Sequence, residues 1–439
     1  MGKKKTLSGA LLAIATLTVA GCSGGGTTSG GTASSPKDPA DASGTIKVLT
    51  HRTDLVQNGT MDKYAEEFRK TYPKVKVEFE ALTDYEGEVK IRMNTKDYGD
   101  VLMIPGAVAK NDYPKFFASL GSSDYFKGKY RFTDKTEVNG KVYGIAQFGT
   151  ANGFVYNKAV WEKAGVTDWP TSPEEFLADL KKIKSKTDAV PYYTNFKDAW
   201  PLTAWSNNIG TVSCDEHAND ELAGAVSPWK EGGDLRVIDS LLHDVVKGGL
   251  SEKDPSTTNW EASKGMIAKG EIATMHLGSW AITQMQAAAK DAGTDPADIG
   301  FMPFPTQKDG GFCATLVSDY QQAVSVHSEH KTAARAWIDW FTEKSGYSET
   351  EGAVPALQAA PMPETLKDFV DNDVMFVERS EAKTGEVNAI DNAAEIGLNK
   401  PDYRQQLVDL ARGARKGNLE DFFADLDKRW NEAARTAGS

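Results

Sequence analysis

Two indoles and two amides crowd the stretch DAWPLTAWSNNIG, residues 198–210: Trp200 and Trp205 lie five positions apart, with Asn207 and Asn208 just behind. Indoles present flat apolar faces and amides present both donors and acceptors, a combination that suits a ligand with C–H faces and a polar rim. Pro201 just inside and Gly210 just beyond delimit a short helix. At roughly 100° per residue the two rings stand about 140° apart around it, so one core-facing stripe does not easily hold both. One of them is free for another task.

A third indole, Trp280, follows the apolar run IATMHL and the turn Gly278-Ser279, which places it at the carboxyl end of a buried strand and the start of a helix. Ligands of α/β sheets gather at such ends. Arg52 and Asp54 follow the first strand, GTIKVLT, at the same kind of mouth; Asn195 ends a strand in YYTNF. Asp100 begins the strand DVLMIP rather than ending it, so strand-edge or capping work competes with ligand contact. No catalytic signature surrounds any carboxylate, H-E-x-x-H and Walker A patterns are missing, and GCSGG at residues 21–25 fits G-x-S-x-G in form only, lying in a small-residue leader and linker rather than a nucleophile loop. HSEH, residues 327–330, reads as a surface turn rather than a metal site, and no metal or cofactor is expected.

The elements that must position these residues alternate. GTIKVLT, MDKYAEEFRKTYP, KVKVEFEAL, YEGEVKIRMNTK and GDVLMIP read as strand, helix, strand, helix, strand, which predicts a parallel sheet with helices on its faces. At 439 residues the chain exceeds what one core usually serves, so two lobes are expected. Residues 1–21 carry a basic start and a run of about 15 small apolar residues, too short to span a bilayer at about 20, and read as an export signal. LTVAGC resembles the lipobox of bacterial lipoproteins, which assigns Cys22 a lipid anchor; the Gly-, Ser- and Thr-rich residues 22–44 read as a flexible tether with a reach of about 26 Å. Removal of the signal takes three lysines and moves the formal charge from −12 to −15, which disfavours nucleic acid and anionic lipid as partners. Cys214 and Cys313 could pair in an oxidising exterior, but the sequence does not decide it.

The ordered set YGIAQFGTANGFVYNKAVWEKAG, AWPLTAW, KGEIATMHLGSWAI, IGFMPFP and HKTAARAWIDWFTEKSGYSETEGAVPAL resembles the bacterial ABC-transporter sugar-binding proteins of the maltose-binding-protein type. The resemblance implies an α/β, two-lobe periplasmic-binding-protein type II fold, each lobe a mainly parallel sheet flanked by helices. It divides the chain into residues 45–148 plus 306–344 for the first lobe and 149–305 plus 345–439 for the second, with the return crossing near Pro303 to Gly311. It also implies a non-enzymatic monomer, anchored at the outer face of the cell membrane through its N-terminal lipid alone, that closes around a neutral oligosaccharide and delivers it to permease subunits. Relatives put a sugar-stacking aromatic at the position of Trp280; Trp200, Trp205, Arg52, Asp54, Asn195 and Asp100 are joined as candidates by Gln147 and Phe148 at the first crossing and by Tyr347. Tyr403 is a doubtful substitute for the C-terminal aromatic of maltose-binding protein. A surface glycoside hydrolase, or the same fold around an anionic solute, are the competing readings; an anion would call for converging basic groups, and Arg52 alone is placed at the mouth.

Overall fold

The computed structural model describes residues 31–437. Cys22 and the export signal lie outside the described residues. The first five-stranded sheet has the order Val75–Ala81, Gly44–Thr50, Val101–Met103, Gln321–Val324, Ile145–Ala146. The first three run parallel, as the alternating strand and helix patterns require, and Gln321–Val324 runs against both its neighbours. Alternate side chains serve opposite faces: Ile46, Val48 and Val101 enter one apolar layer with Phe68 and Trp337, while Leu49 and Leu102 enter the other with Tyr85 and Val89.

The second sheet is organised around the nine-residue strand Gly149–Asn157, which pairs antiparallel with Thr274–Gly278, Ile299–Met302 and Gly311–Ser318. Its neighbours therefore share one direction. Met375–Glu378 joins Gly311–Ser318 in parallel, and the bridges Val190↔Ile272 and Tyr192↔Ser251 continue the same sense. Each lobe is thus a mainly parallel sheet flanked by helices, with one reversed strand in the first and two in the second, Gly149–Asn157 and the short edge strand Gln307–Lys308. The helix Pro173–Lys186 shows how locally its ends are written: Ser172 accepts the Glu175 N–H at 3.2 Å, Pro173 opens the first turn, and Phe176, Leu180 and Ile183 are fully buried on one stripe.

Three expectations need correction or completion. Gly311–Ser318 belongs to the second sheet and Gln321–Val324 to the first, so the chain passes between sheets at Asp319 and Tyr320 rather than near residue 305. The tether is not free as far as Gly44: Thr32 bridges Ser119, and Ala33 and Ala42 are wholly buried in the first-lobe core. Cys214 and Cys313 are joined, with Cα atoms 5.7 Å apart and a sequence separation of 99. A loop of that size removes roughly 4–5 kcal/mol of denatured-state freedom in the chain-entropy picture.

Candidate functional site

Asn152 and Gly278 lie opposite each other on adjacent strands of the second sheet, three residues from the first crossing, and form the floor of a cavity of about 430 Å³. Binding sites for small ligands span roughly 300–1,000 Å³. Trp200, Trp280, Thr203, Ala204, Asn207 and Asn399 complete the lining, and none of these residues carries a charge. Trp200 is 38% exposed. Its ring centroid lies 5.8 Å from that of Trp280 at a tilt of 42°.

Each indole is held by identifiable local structure. Trp280 follows the strand Thr274–Gly278, and Ser279 fixes that corner by donating its N–H to the Ala151 carbonyl at 2.8 Å and accepting the Ala151 N–H on its hydroxyl at 3.1 Å. Gly278 leaves room for the ring: a Cβ there would stand 2.7 Å from Trp280 Nε1 and 2.6 Å from Thr150 Oγ1, closer than real Cβ contacts come. Trp200 is presented by a γ-turn in which the Asp198 carbonyl accepts the Trp200 N–H at 2.7 Å, with Ala199 between them at φ 66°, ψ −42°. That conformation is strained for a residue with a Cβ, and its place beside the cavity fits the tendency of strain to collect at functional sites. The Asp198 carboxylate accepts the Trp260 N–H at 2.8 Å. Trp260 in turn packs edge-on against Trp200 at 5.0 Å and lies 5.8 Å from Trp280.

Sequence reasoning missed Trp260, Asn152 and Asn399. A tryptophan directly after the N-cap Asn259 was visible, but its partner Asp198 is 62 residues away. Trp205 is corrected: it is 1% exposed and packs 4.9 Å from His276 and 5.8 Å from Phe154 in the second-lobe core. The short helix Trp200–Thr203 tightens into a 3₁₀ turn over Ala204–Asn208, which carries Trp205 inward as Trp200 stays at the surface. Asn208 is also buried, its amide 2.7 Å from His276 Nε2, whereas Asn207 reaches the cavity.

Other candidates move away from the cavity. Asn195 is fully buried with its amide against Met275 Sδ at 3.5 Å. Asp100 does strand-edge work, accepting the Lys47 N–H at 2.8 Å and the Ser328 hydroxyl at 2.5 Å. Phe148 and Tyr347 pack on each other at 5.7 Å inside the first-lobe core, at 7% and 2% exposure. Gln147 is buried, its Oε1 without a partner and facing a water-sized void beside Gln322. Tyr403 is buried against Asp239, so it supplies no cavity aromatic.

Arg52 and Asp54 remain at the first-lobe mouth, bound to each other. The Arg52 guanidinium clamps Asp54 through two bonds of 2.8 and 2.9 Å and donates to Tyr347 Oη at 2.9 Å and Glu351 Oε2 at 2.7 Å. The Glu351 carbonyl accepts from Thr283, on the helix that Trp280 begins, at 3.4 Å. Burial and then the Arg52 charge lower His51 to about 4, leaving it neutral at physiological pH.

Asp319, at the crossing itself, is closely surrounded yet partly reached by solvent. Burial pushes its carboxyl up to about 6; the Tyr320 N–H, Lys135 and Arg52 oppose this, and Glu351 adds to it. The unfolded chain ionises this group near 3.8, so stability falls as pH rises from there to about 6 and stays lower above, by roughly 3 kcal/mol. Asp319→Asn is expected to raise the melting temperature at pH 8 and leave it nearly unchanged at pH 4. An equal gain at both values in thermal unfolding would show that burial of this charge is not the cause.

Two α/β lobes joined by crossings beside an uncharged, indole-lined cavity define a two-lobed receptor fold. The chain belongs to the bacterial extracellular solute-binding proteins, whose family model matches residues 53–347. A mannobiose-bound binding protein of an ABC transporter from Bifidobacterium animalis subsp. lactis is 33% identical, with a TM-score of 0.81 over 91% of this chain and 96% of its own. A manno-oligosaccharide-specific solute-binding protein of the same organism, bound to mannotriose, is 32% identical at the same TM-score and coverage. The multiple sugar-binding protein of Streptococcus mutans is 23% identical over 72% of this chain and 75% of its own length.

Proposed function

We propose that this chain is the substrate-binding component of a carbohydrate ABC importer, capturing a neutral oligosaccharide between its lobes and handing it to membrane permease subunits, with short manno-oligosaccharides as the first candidates. The observation that carries this reading is the tilted pair Trp200 and Trp280 over a cavity lined also by Asn207 and Asn399, with no Lys or Arg in its lining. Indoles match the C–H faces of pyranose rings, and amides left unpaired on burial would cost about 1–3 kcal/mol each, so they select ligands whose hydroxyls satisfy them. The uncharged lining argues against an anionic solute. The relatives bound to mannobiose and mannotriose support the sugar class.

In this reading the protein is a monomer that breaks no bond, the lobes close by hinge motion about the crossings, and Cys22 carries the lipid that holds it at the outer face of the membrane. Intrinsic tryptophan fluorescence and calorimetry against manno-, malto-, xylo-, galacto- and fructo-oligosaccharides test it, with an oligogalacturonate as anionic control. Saturable binding of a neutral sugar, mannotriose foremost, is expected. Silence with every neutral sugar overturns the reading, and steady release of shorter products would indicate a hydrolase instead.

A further inference from the structure

Residues 32–43 have the composition of a linker and the contacts of a structural element. Ala33 donates its N–H to the Ser119 carbonyl at 2.8 Å, and Ser119 returns its N–H to the Gly31 carbonyl at 3.0 Å. Ala33 and Ala42 are fully buried, in the same apolar layer as Leu120, Phe126 and Ala336. Beneath Ala33 lies Arg335, 1% exposed, which donates Nη1 to the Ala33 carbonyl at 3.2 Å and to the Leu120 carbonyl, and Nε to Asp339 at 2.7 Å. The other Asp339 oxygen accepts the Ser35 hydroxyl at 2.6 Å. Asp38 then caps the 3₁₀ turn Pro39–Asp41 with a reciprocal capping box. At Gly44 (φ 106°) a Cβ would run into the His330 ring, so the strap enters the first strand through a position only glycine suits.

All these partners sit on the first lobe. A buried guanidinium that needs the Ala33 carbonyl, and a carboxylate shared between that guanidinium and Ser35, give the strap a defined seat that a passive linker would not have.

We propose that residues 32–43 are a docked strap that makes the first lobe the membrane-held lobe, leaving only the chain between Cys22 and Thr32 as the leash to the lipid surface. The proposal rests on the lipid anchor at Cys22. Fully extended, ten links reach at most about 35 Å, against about 77 Å for the twenty-two links to Gly44, so docking more than halves the height to which the receptor can rise. The first-lobe face around Ser119 and Lys331, where the strap begins, is thereby kept close to the bilayer. The second lobe carries the indoles and is attached to the membrane only through the first.

The test uses the full chain, produced with its leader in a lipoprotein-processing bacterium and placed in vesicles of phosphatidylglycerol and phosphatidylcholine. A fluorophore is introduced at Tyr125, an exposed first-lobe residue beside the strap's seat, and energy transfer to a lipid-borne acceptor is measured. Amide exchange is followed at Ala33 and Ser119. Protected amides and efficient transfer are expected for the parent chain. Ala33→Asp, which forces a charge into the apolar seat, should raise exchange at Ala33 at least tenfold and cut transfer at least twofold. Should that variant fold poorly, twelve Gly-Ser residues inserted after Gly26 lengthen the leash without touching the strap and should cut transfer alike. Ala33 exchanging in the parent chain as fast as free peptide overturns the docking. Transfer unchanged by both variants overturns the leash. Failure of the full chain to stay with the vesicles overturns the anchor and the leash with it, and exchange at Ala33 then reports on docking alone.

Discussion

Replacing Trp280 by alanine is expected to weaken oligosaccharide binding by about 100-fold or more while barely moving the melting temperature, and replacing Trp205 is expected to do the reverse. The two effects separate because the rings do different work. Trp280 lines the cavity on a corner that Ser279 and Ala151 fix without its help, so truncating it deletes a face for the sugar and leaves the backbone in place. About 100-fold corresponds to roughly 2.7 kcal/mol, within the range of a buried aromatic anchor at a binding centre. Trp205 instead sits among Phe154, Tyr192, His276 and Phe304 at 1% exposure. Its loss should cost roughly 3–5 kcal/mol, about 10 °C for a lobe of this size, with Trp205→Phe recovering part of it. Calorimetric titration and thermal unfolding of both variants check this. Normal affinity in Trp280→Ala would remove the indole pair from the ligand site.

How much of this was legible in the sequence depends on how far apart the interacting residues lie. The end of the strand IATMHL was readable from local pattern, so Trp280 was placed at the edge of the second sheet where it stands, and the angular offset showed that Trp200 and Trp205 do not share one stripe without saying which of them turns inward. Trp260 was not placed, because what holds it against Trp200 and Trp280 is the Asp198 carboxylate across 62 residues. Arg52 and Asp54 were put at the mouth, but the Glu351 that engages Arg52 is 299 residues on, and no spacing rule reaches that far. The resemblance put the return passage between the lobes around residues 303–311, yet the chain crosses at Asp319 and Tyr320, where the pairing of the flanking strands decides. The strap escaped for a related reason. Small residues without large apolar neighbours read as a linker, and Ala33 gains its seat from backbone bonds to Ser119 that composition does not encode.

Asp239→Ala should unfold the second lobe about 10 °C earlier and also loosen ligand binding, although Asp239 does not line the cavity. Asp239 and Arg404 form an ion pair with no solvent exposure, Nε to Oδ1 at 2.9 Å, and the second carboxylate oxygen accepts from Trp229 Nε1 at 2.8 Å and Tyr403 Oη at 3.3 Å. Removing the carboxylate strands a buried guanidinium whose Nη2 already lacks a partner, together with two buried donors. Breaking such a pair costs roughly 3–5 kcal/mol, chiefly the desolvation of the charge left behind. Asp239→Asn keeps an acceptor and the side-chain shape, so its loss should be smaller. The effect on binding follows from the other side of the guanidinium. Arg404 Nη1 donates to Ser206 Oγ at 2.6 Å and to the Leu398 carbonyl at 3.4 Å, and Ser206 Oγ also donates to that carbonyl. Ser206 precedes Asn207 and Leu398 precedes Asn399, and both of these asparagines line the cavity. A guanidinium released from Asp239 no longer holds those loops in register, so affinity for mannotriose should drop about tenfold at temperatures where the variant remains folded, with binding stoichiometry unchanged. Wild-type affinity in a folded Asp239→Ala protein would confine the ion pair to a purely structural part.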